Sequence, residues 1–374
     1  MKDRLAIALG LAVALRLWLD LAWLPASVAQ GLTAAMGVGF VAVGWRRFAT
    51  HPLRAPLVAF AAWTLLGLLR GGDVDALRYG AHLLVPLAWL LASERADPRW
   101  PRWLLVAGLV PIAASLVWLG LGQPDDHVLH GVPRLHGAFR NLHGHAVAMA
   151  ALASVGLWEF ARRQGSQPLG VFVAGLAGNC LLLAYVRTLW IFVALVALVL
   201  LLLGRRWAVL GAGGGLVLLL AGLSERVQER FADIVSVLTL QAPADGWGAI
   251  GSWRGRIWAE SVQSYAEGPW WHWLVGRGLG EHVGLHKHLD PHNEYLSIVF
   301  QLGGIGLALW LWLMGAAAWA CWKAGERGRL GLALIVAVVA TCAVSNEWLT
   351  RATMQWVTFG AVGWALREDR SEPT

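Results

Sequence analysis

Apolar runs of about 15 to 25 residues recur along almost the whole chain, separated by polar stretches rich in arginine. They fall at 5–23, 29–45, 55–70, 76–92, 103–121, 141–161, 169–185, 188–203, 207–223, 294–320, 330–346 and 348–366. None alternates with period two, and a segment in lipid must satisfy its own backbone hydrogen bonds, so each run predicts a helix rather than a barrel strand. The pattern predicts an all-α, polytopic helical membrane protein of about twelve transmembrane helices. Its organisation is nine helices in 1–223, one large periplasmic loop at 224–293, and three helices with a cytoplasmic tail in 294–374. In the loop, Arg226-Val227-Gln228-Glu229-Arg230-Phe231 and Trp258-Ala259-Glu260-Ser261-Val262-Gln263-Ser264-Tyr265 read as short amphipathic helices on the membrane surface.

Composition agrees: 57% of residues are hydrophobic and 14% charged, which excludes an ordinary soluble domain. Lys and Arg concentrate in alternate connections, at Lys2, Arg46, Arg47, Arg95, Arg99, Arg162, Arg163, Arg205, Arg206, Lys323 and Arg367 among others. That side, with both termini, is expected to be cytoplasmic. The formal charge of +7 is this topogenic asymmetry, and no nucleic-acid motif accompanies it. Residues 1–29 imitate a secretory signal, with Lys2, Arg4 and a Ser27-Val28-Ala29 site, but the run is long and interrupted by Arg16 and Asp20, so it is expected to be the first span. Cys180, Cys321 and Cys342 all lie in apolar runs and imply neither a disulfide framework nor a thiolate metal site.

Eleven of the twelve histidines, all but His51, lie in or near outward segments, where an interfacial histidine needs no special explanation. His292 differs in its setting. Asp290-Pro291-His292-Asn293-Glu294 offers a cap, a proline at the first helical position, and a histidine in the first turn. There the positive helix end would keep the ring neutral and free to accept a proton, beside N–H groups that attract an anion. Arginine is the natural anion partner. Arg187 sits in the very short outward turn Tyr185-Val186-Arg187-Thr188, and snorkelling is its alternative. Arg254 and Arg256 lie between Trp253 and Trp258, with an interfacial anchor as theirs.

Together, Tyr185-Val186-Arg187-Thr188-Leu189-Trp190, Gly255-Arg256-Ile257-Trp258, Gly276-Arg277-Gly278-Leu279-Gly280 and Pro291-His292-Asn293-Glu294-Tyr295-Leu296 resemble, in that order, the O-antigen ligase and polymerase superfamily. The ligase pattern of His-Asn, nine residues, Gly, two residues and Gly is met by His292-Asn293, Gly303 and Gly306. The resemblance is confined chiefly to residues 180–310.

The resemblance implies a glycosyltransferase with an undecaprenyl-pyrophosphate-linked glycan as donor and a sugar hydroxyl of lipid A core as acceptor, acting by inversion at the periplasmic face of the bacterial inner membrane. It implies His292 as the catalytic base and Arg187, Arg256 and Arg254 as pyrophosphate contacts, with Asn293, Glu294 and Tyr295 supporting. Glu294 is also favoured by the helix dipole alone. A second glycan as acceptor would make the chain a repeat-unit polymerase, and a Ser or Thr acceptor a protein O-oligosaccharyltransferase. From another class, a transporter or lipid flippase is disfavoured by the scarcity of ionisable residues within the runs. No cofactor or metal is expected, since Asp73-Val74-Asp75, Asp125-Asp126-His127, His143/His145 and His282/His286 fix no ligand set.

Overall fold

The computed structural model describes residues 2–19, 21, 25–72, 74–121, 128–129, 132–133, 139, 142–162, 167–184, 186–204, 250–280, 293–344 and 352–367. In chain order the helices are α1 (Lys2–Leu19), α2 (Ala26–Phe48), α3 (Arg54–Gly71), α4 (Val74–Ser93), α5 (Trp100–Gly120), α6 (Leu142–Ala161), α7 (Gln167–Ala184) and α8 (Arg187–Leu203). Then come α9 (Ile250–Ala266), α10 (His272–Val275), α11 (Glu294–Lys323), α12 (Arg329–Thr341) with a 3₁₀ turn at Cys342–Val344, and α13 (Ala352–Ala365). Helices stand at eleven of the twelve apolar runs, and the run at 207–223 lies outside the described residues. So does the expected helix at 226–231, whereas the one at 258–265 is the second half of the longer α9.

Among the described residues, Ser27–Trp45, Trp100–Gly120, Leu142–Ala161 and Glu294–Lys323 are long and apolar enough to cross a membrane. Their buried hydroxyls turn back on their own backbones: Ser115 Oγ donates to Pro111 O at 2.7 Å and Ser154 Oγ to Ala150 O at 2.7 Å. That local bond satisfies a polar group without a partner helix or water. Large apolar side chains face outward, among them Val38, Trp45 and Leu69, as a lipid-exposed surface permits.

α6 is the hub, with residues 146–153 almost entirely small or slender and all buried. Its packing on α7 is closest at Gly156 and Gly170, where a Cβ on either would come within 2.7 Å of the other's carbonyl oxygen. A second knot joins α2, α4 and α13. The ring centroids of Phe40 and Trp89 are 4.9 Å apart and those of Phe40 and Trp356 5.1 Å, and Trp89 Nε1 donates to Trp356 O at 2.8 Å. At the end of α4, Glu94 meets His51 Nε2 at 2.9 Å in a buried pair, and Asp97 accepts two bonds of 3.0 Å from the Arg99 guanidinium. That hydrogen-bonded guanidinium holds the Asp97 carboxyl below its usual range.

Two small β features depart from the all-helical expectation. Val128–Leu129 pairs antiparallel with Val132–Pro133, and Leu21 bridges to Phe139. Strands of two residues are too short to carry a period-two signal.

Candidate functional site

The first turn of α11 begins later than Asp290-Pro291 suggests. Asn293 is the cap, extended at φ −147°, and its Oδ1 accepts from Leu296 N–H at 3.1 Å. Asparagine caps as well as aspartate, and here its second function decides the register, because Nδ2 also donates to Ala343 O at 2.8 Å. His292 therefore precedes the cap instead of occupying the first turn, and it lies outside the described residues. Glu294 opens the helix with its side chain fully buried. Tyr295 Oη donates to Val339 O and its ring meets Trp310 edge-on, so this side chain fastens α11 to α12.

Arg254 donates from Nη1 to Val344 O. Two expected site residues from different elements, Arg254 of α9 and Asn293 of α11, thus converge on adjacent carbonyls of the 3₁₀ turn after α12. Arg256 lies on the exposed side of α9, donating from Nε to Glu260 at 2.7 Å, and that carboxylate raises its pKa further. Arg187 is the first residue of α8, half-buried, and α8 packs against α12, the helix that leads into the same turn. The start of α8 has no side-chain cap and no acidic residue in its first turn. An anion at a helix start engages the backbone N–H groups there, and Arg187 stands at that start.

Ten residues further along α11 than Asn293, the two glycine motifs meet. Gly303, at φ 73° and ψ 179°, breaks α11, so carbonyls before it lose their helical donors. The stretch 276–280 supplies replacements. Arg277 N–H donates to Phe300 O at 2.9 Å, Gly278 N–H to Gln301 O at 3.1 Å, and Gly280 N–H to Gln301 Oε1 at 3.1 Å. Trp63 Nε1 of α3 takes Leu302 O at 2.7 Å, and Tyr265 Oη of α9 lies 3.2 Å from Val299 O and 2.6 Å from His272 O. A Cβ on Gly276 would strike Gln301 O, and one on Gly303 would strike Leu274 O. The glycine spacing is therefore a backbone lock in which 276–280 is laid across a broken helix.

Sequence reasoning passed over three side chains at this lock. Arg70 donates from Nη1 to Gly276 O at 3.4 Å and lies 5.6 Å from the Trp63 ring centroid. Arg277 lies 5.0 Å from the Tyr265 ring centroid and donates to Ser264 O at 3.3 Å. His272 is held below its usual pKa by burial and then by these two guanidiniums. Burial pushes the Tyr265 hydroxyl up to about 12. The available signal was the Gly-Arg-Gly-Leu-Gly string itself, since alternating glycines announce close backbone approach and leave the intervening arginine at that contact.

Among the described residues no group of three His, Cys, Asp or Glu could hold a metal ion. Asp73 lies outside them, as do Asp125, Asp126, His127, His282 and His286.

Residues 171–311 match the family model described as O-antigen ligase. A protein of Pseudomonas aeruginosa named O-antigen ligase is 30% identical over 113 residues, a stretch covering 28% of this chain and 27% of that relative. The chain thus matches about a quarter of that protein's length. The matched region holds Arg187, Arg254, Arg256, the 276–280 lock, His292 and the Gly303 break. Residues 171–311 of this chain are thus similar to the O-antigen ligase family.

Proposed function

We propose that this protein is a lipid-linked glycan transferase of the ligase type, moving a glycan from undecaprenyl pyrophosphate to a sugar hydroxyl of lipid A core at the periplasmic face of the inner membrane. The proposed frame has about twelve crossings with both termini cytoplasmic. The observation that carries the reading is the convergence of Arg254 and Asn293 on the Ala343 and Val344 carbonyls, with the uncapped, arginine-led start of α8 on the neighbouring helix. Asn293, the residue that follows His292, is itself anchored to Ala343 O, and Arg256 stands two residues beyond Arg254 on α9.

In the mechanism proposed, Arg187 and Arg256 bind the pyrophosphate and stabilise charge developing on it as the anomeric bond breaks. Arg256 exchanges its Glu260 contact for phosphate oxygen, an exchange between two exposed partners. His292 takes the proton from the acceptor hydroxyl, whose oxygen attacks from the opposite face and inverts the carbon. The pyrophosphate is already a good leaving group, so positioning and charge supply the catalysis. Asn293 and Tyr295 hold the helix start through their backbone bonds.

Reconstitution tests this. Purified protein is supplied with undecaprenyl-pyrophosphate glycan, with and without lipid A core, in chelator, and the products are resolved on gels. Glycan appearing on the core is the expected result. Ladders formed without the core would make the chain a polymerase, and no product from folded protein would turn attention to transport.

A further inference from the structure

Arg70, Arg277 and His272 stand together at the lock, on α3, on the 276–280 strap and on α10. They are linked through Gly276 O, which accepts from Arg70, and through Tyr265, whose ring lies against Arg277 and whose hydroxyl bonds the His272 carbonyl. Arg277 Nη2 and His272 Nδ1 both lie near the same point beside Gly268, 3.1 Å and 3.3 Å from the position of a Cβ there. No carboxylate pairs with either guanidinium among the described residues. Arg70 Nη2, Arg277 Nε and His272 Nδ1 are each buried with no hydrogen-bond partner among those residues. Such donors cost stability unless an acceptor reaches them, and gathering two cations without a counter-ion costs more.

Next to the cluster, Trp270, Trp271 and Leu274 are exposed, Trp270 at 73%. Indole rings beside arginines suit the depth at which lipid phosphates lie. The geometry points to a phosphate-binding site formed by Arg70, Arg277 and His272, with Trp270 and Trp271 as its apolar rim. The two guanidiniums contact phosphate oxygens and His272 completes the donor set. The site is separate from the pyrophosphate contacts proposed above, because Arg256 and Tyr265 lie about 13 Å apart along α9. It does not depend on the transfer reaction.

The phosphate has two sources of the same chemistry, a membrane lipid headgroup or a phosphate carried on a soluble glycan. The protein is placed in phosphatidylcholine nanodiscs containing phosphatidylglycerol, and retained lipid is read by native mass spectrometry. Arg70→Gln/Arg277→Gln is expected to lower phosphatidylglycerol retention about tenfold. His272→Gln, which leaves both arginine contacts with the backbone intact, should lower it about threefold. In a second arm, inorganic phosphate is titrated against the thermal midpoint in phosphatidylcholine alone. Arginine-dependent lipid retention assigns the site to a headgroup; an arginine-dependent midpoint rise with free phosphate, without lipid selectivity, assigns it to a glycan phosphate. If the double variant unfolds, the His272→Gln comparison decides. Retention and midpoint shifts equal in wild type and His272→Gln would overturn the site.

Discussion

At the residue scale, side chains grouped by motif divide into those with structural bonds and those available for chemistry. Tyr295 and Asn293 both spend their polar atoms on backbone. Tyr295→Phe should cost about 1 kcal/mol of stability and lower the transfer rate far less than loss of His292 does, read by thermal unfolding in detergent beside the glycan assay. His292→Ala should instead lower transfer at least about 100-fold in correctly inserted protein, the usual span of a general base. Full transfer by that variant would remove His292 from the mechanism. A third residue reports on pH. The Asp97 carboxyl is held below its usual range by the Arg99 hydrogen bonds, so its stabilising contribution is complete above the ordinary aspartate value and lost as pH falls through the depressed one. The apparent melting temperature should therefore drop below about pH 4, and Asp97→Asn should remove part of that drop.

At the scale of elements, the helices were legible because an apolar run in lipid has one backbone solution. What stayed hidden was contact between segments distant in the chain. The 276–280 string and Gly303 both show as glycine spacing, but nothing in either says that one is laid over the other, or that Trp63 of α3 completes the set. The helix start is not fixed by the sequence, because Asp290-Pro291 and Asn293 are all competent start signals; the described helix is capped by Asn293, which also bonds Ala343 O. The sequence places Arg254 and Arg256 in a loop, because the helix that carries them is amphipathic and begins at Ile250, with little apolar run to mark it. The lock predicts sharply different costs along one helix. Gly303→Ala forces a positive φ on alanine and drives Cβ into Leu274 O, so it should destabilise by about 1–3 kcal/mol or more. Gly315→Ala meets open space and should be neutral or slightly stabilising. Thermal unfolding of the two variants side by side makes the comparison.

At the scale of the whole molecule, α6 organises the described helices through small residues, and the candidate site forms at the ends of α8, α11 and α12 rather than within the bundle. That division suits the proposed transfer between lipid-carried substrates: the packed helices hold position, while the proposed reactive groups come from helix starts and a turn. The family match at 171–311 holds the starts of α8 and α11, while the end of α12 and its turn lie beyond it.

The break in α11 works as a ruler. Residues 304–323 form about 30 Å of helix, which is the thickness of a bilayer's hydrocarbon core. Exposed Trp319 and Trp322, with Lys323 over the Trp319 ring, mark one end of that length. The locked glycine and the tryptophans before it mark the other. On the proposed membrane placement, the short segment of α11 before the break stands clear of the acyl chains, with Asn293 about 15 Å along the helix from the break. On the proposed function, a donor's polyprenyl tail stays dissolved in the bilayer while its pyrophosphate reaches the level of the arginines, so the lipid need not be extracted for transfer.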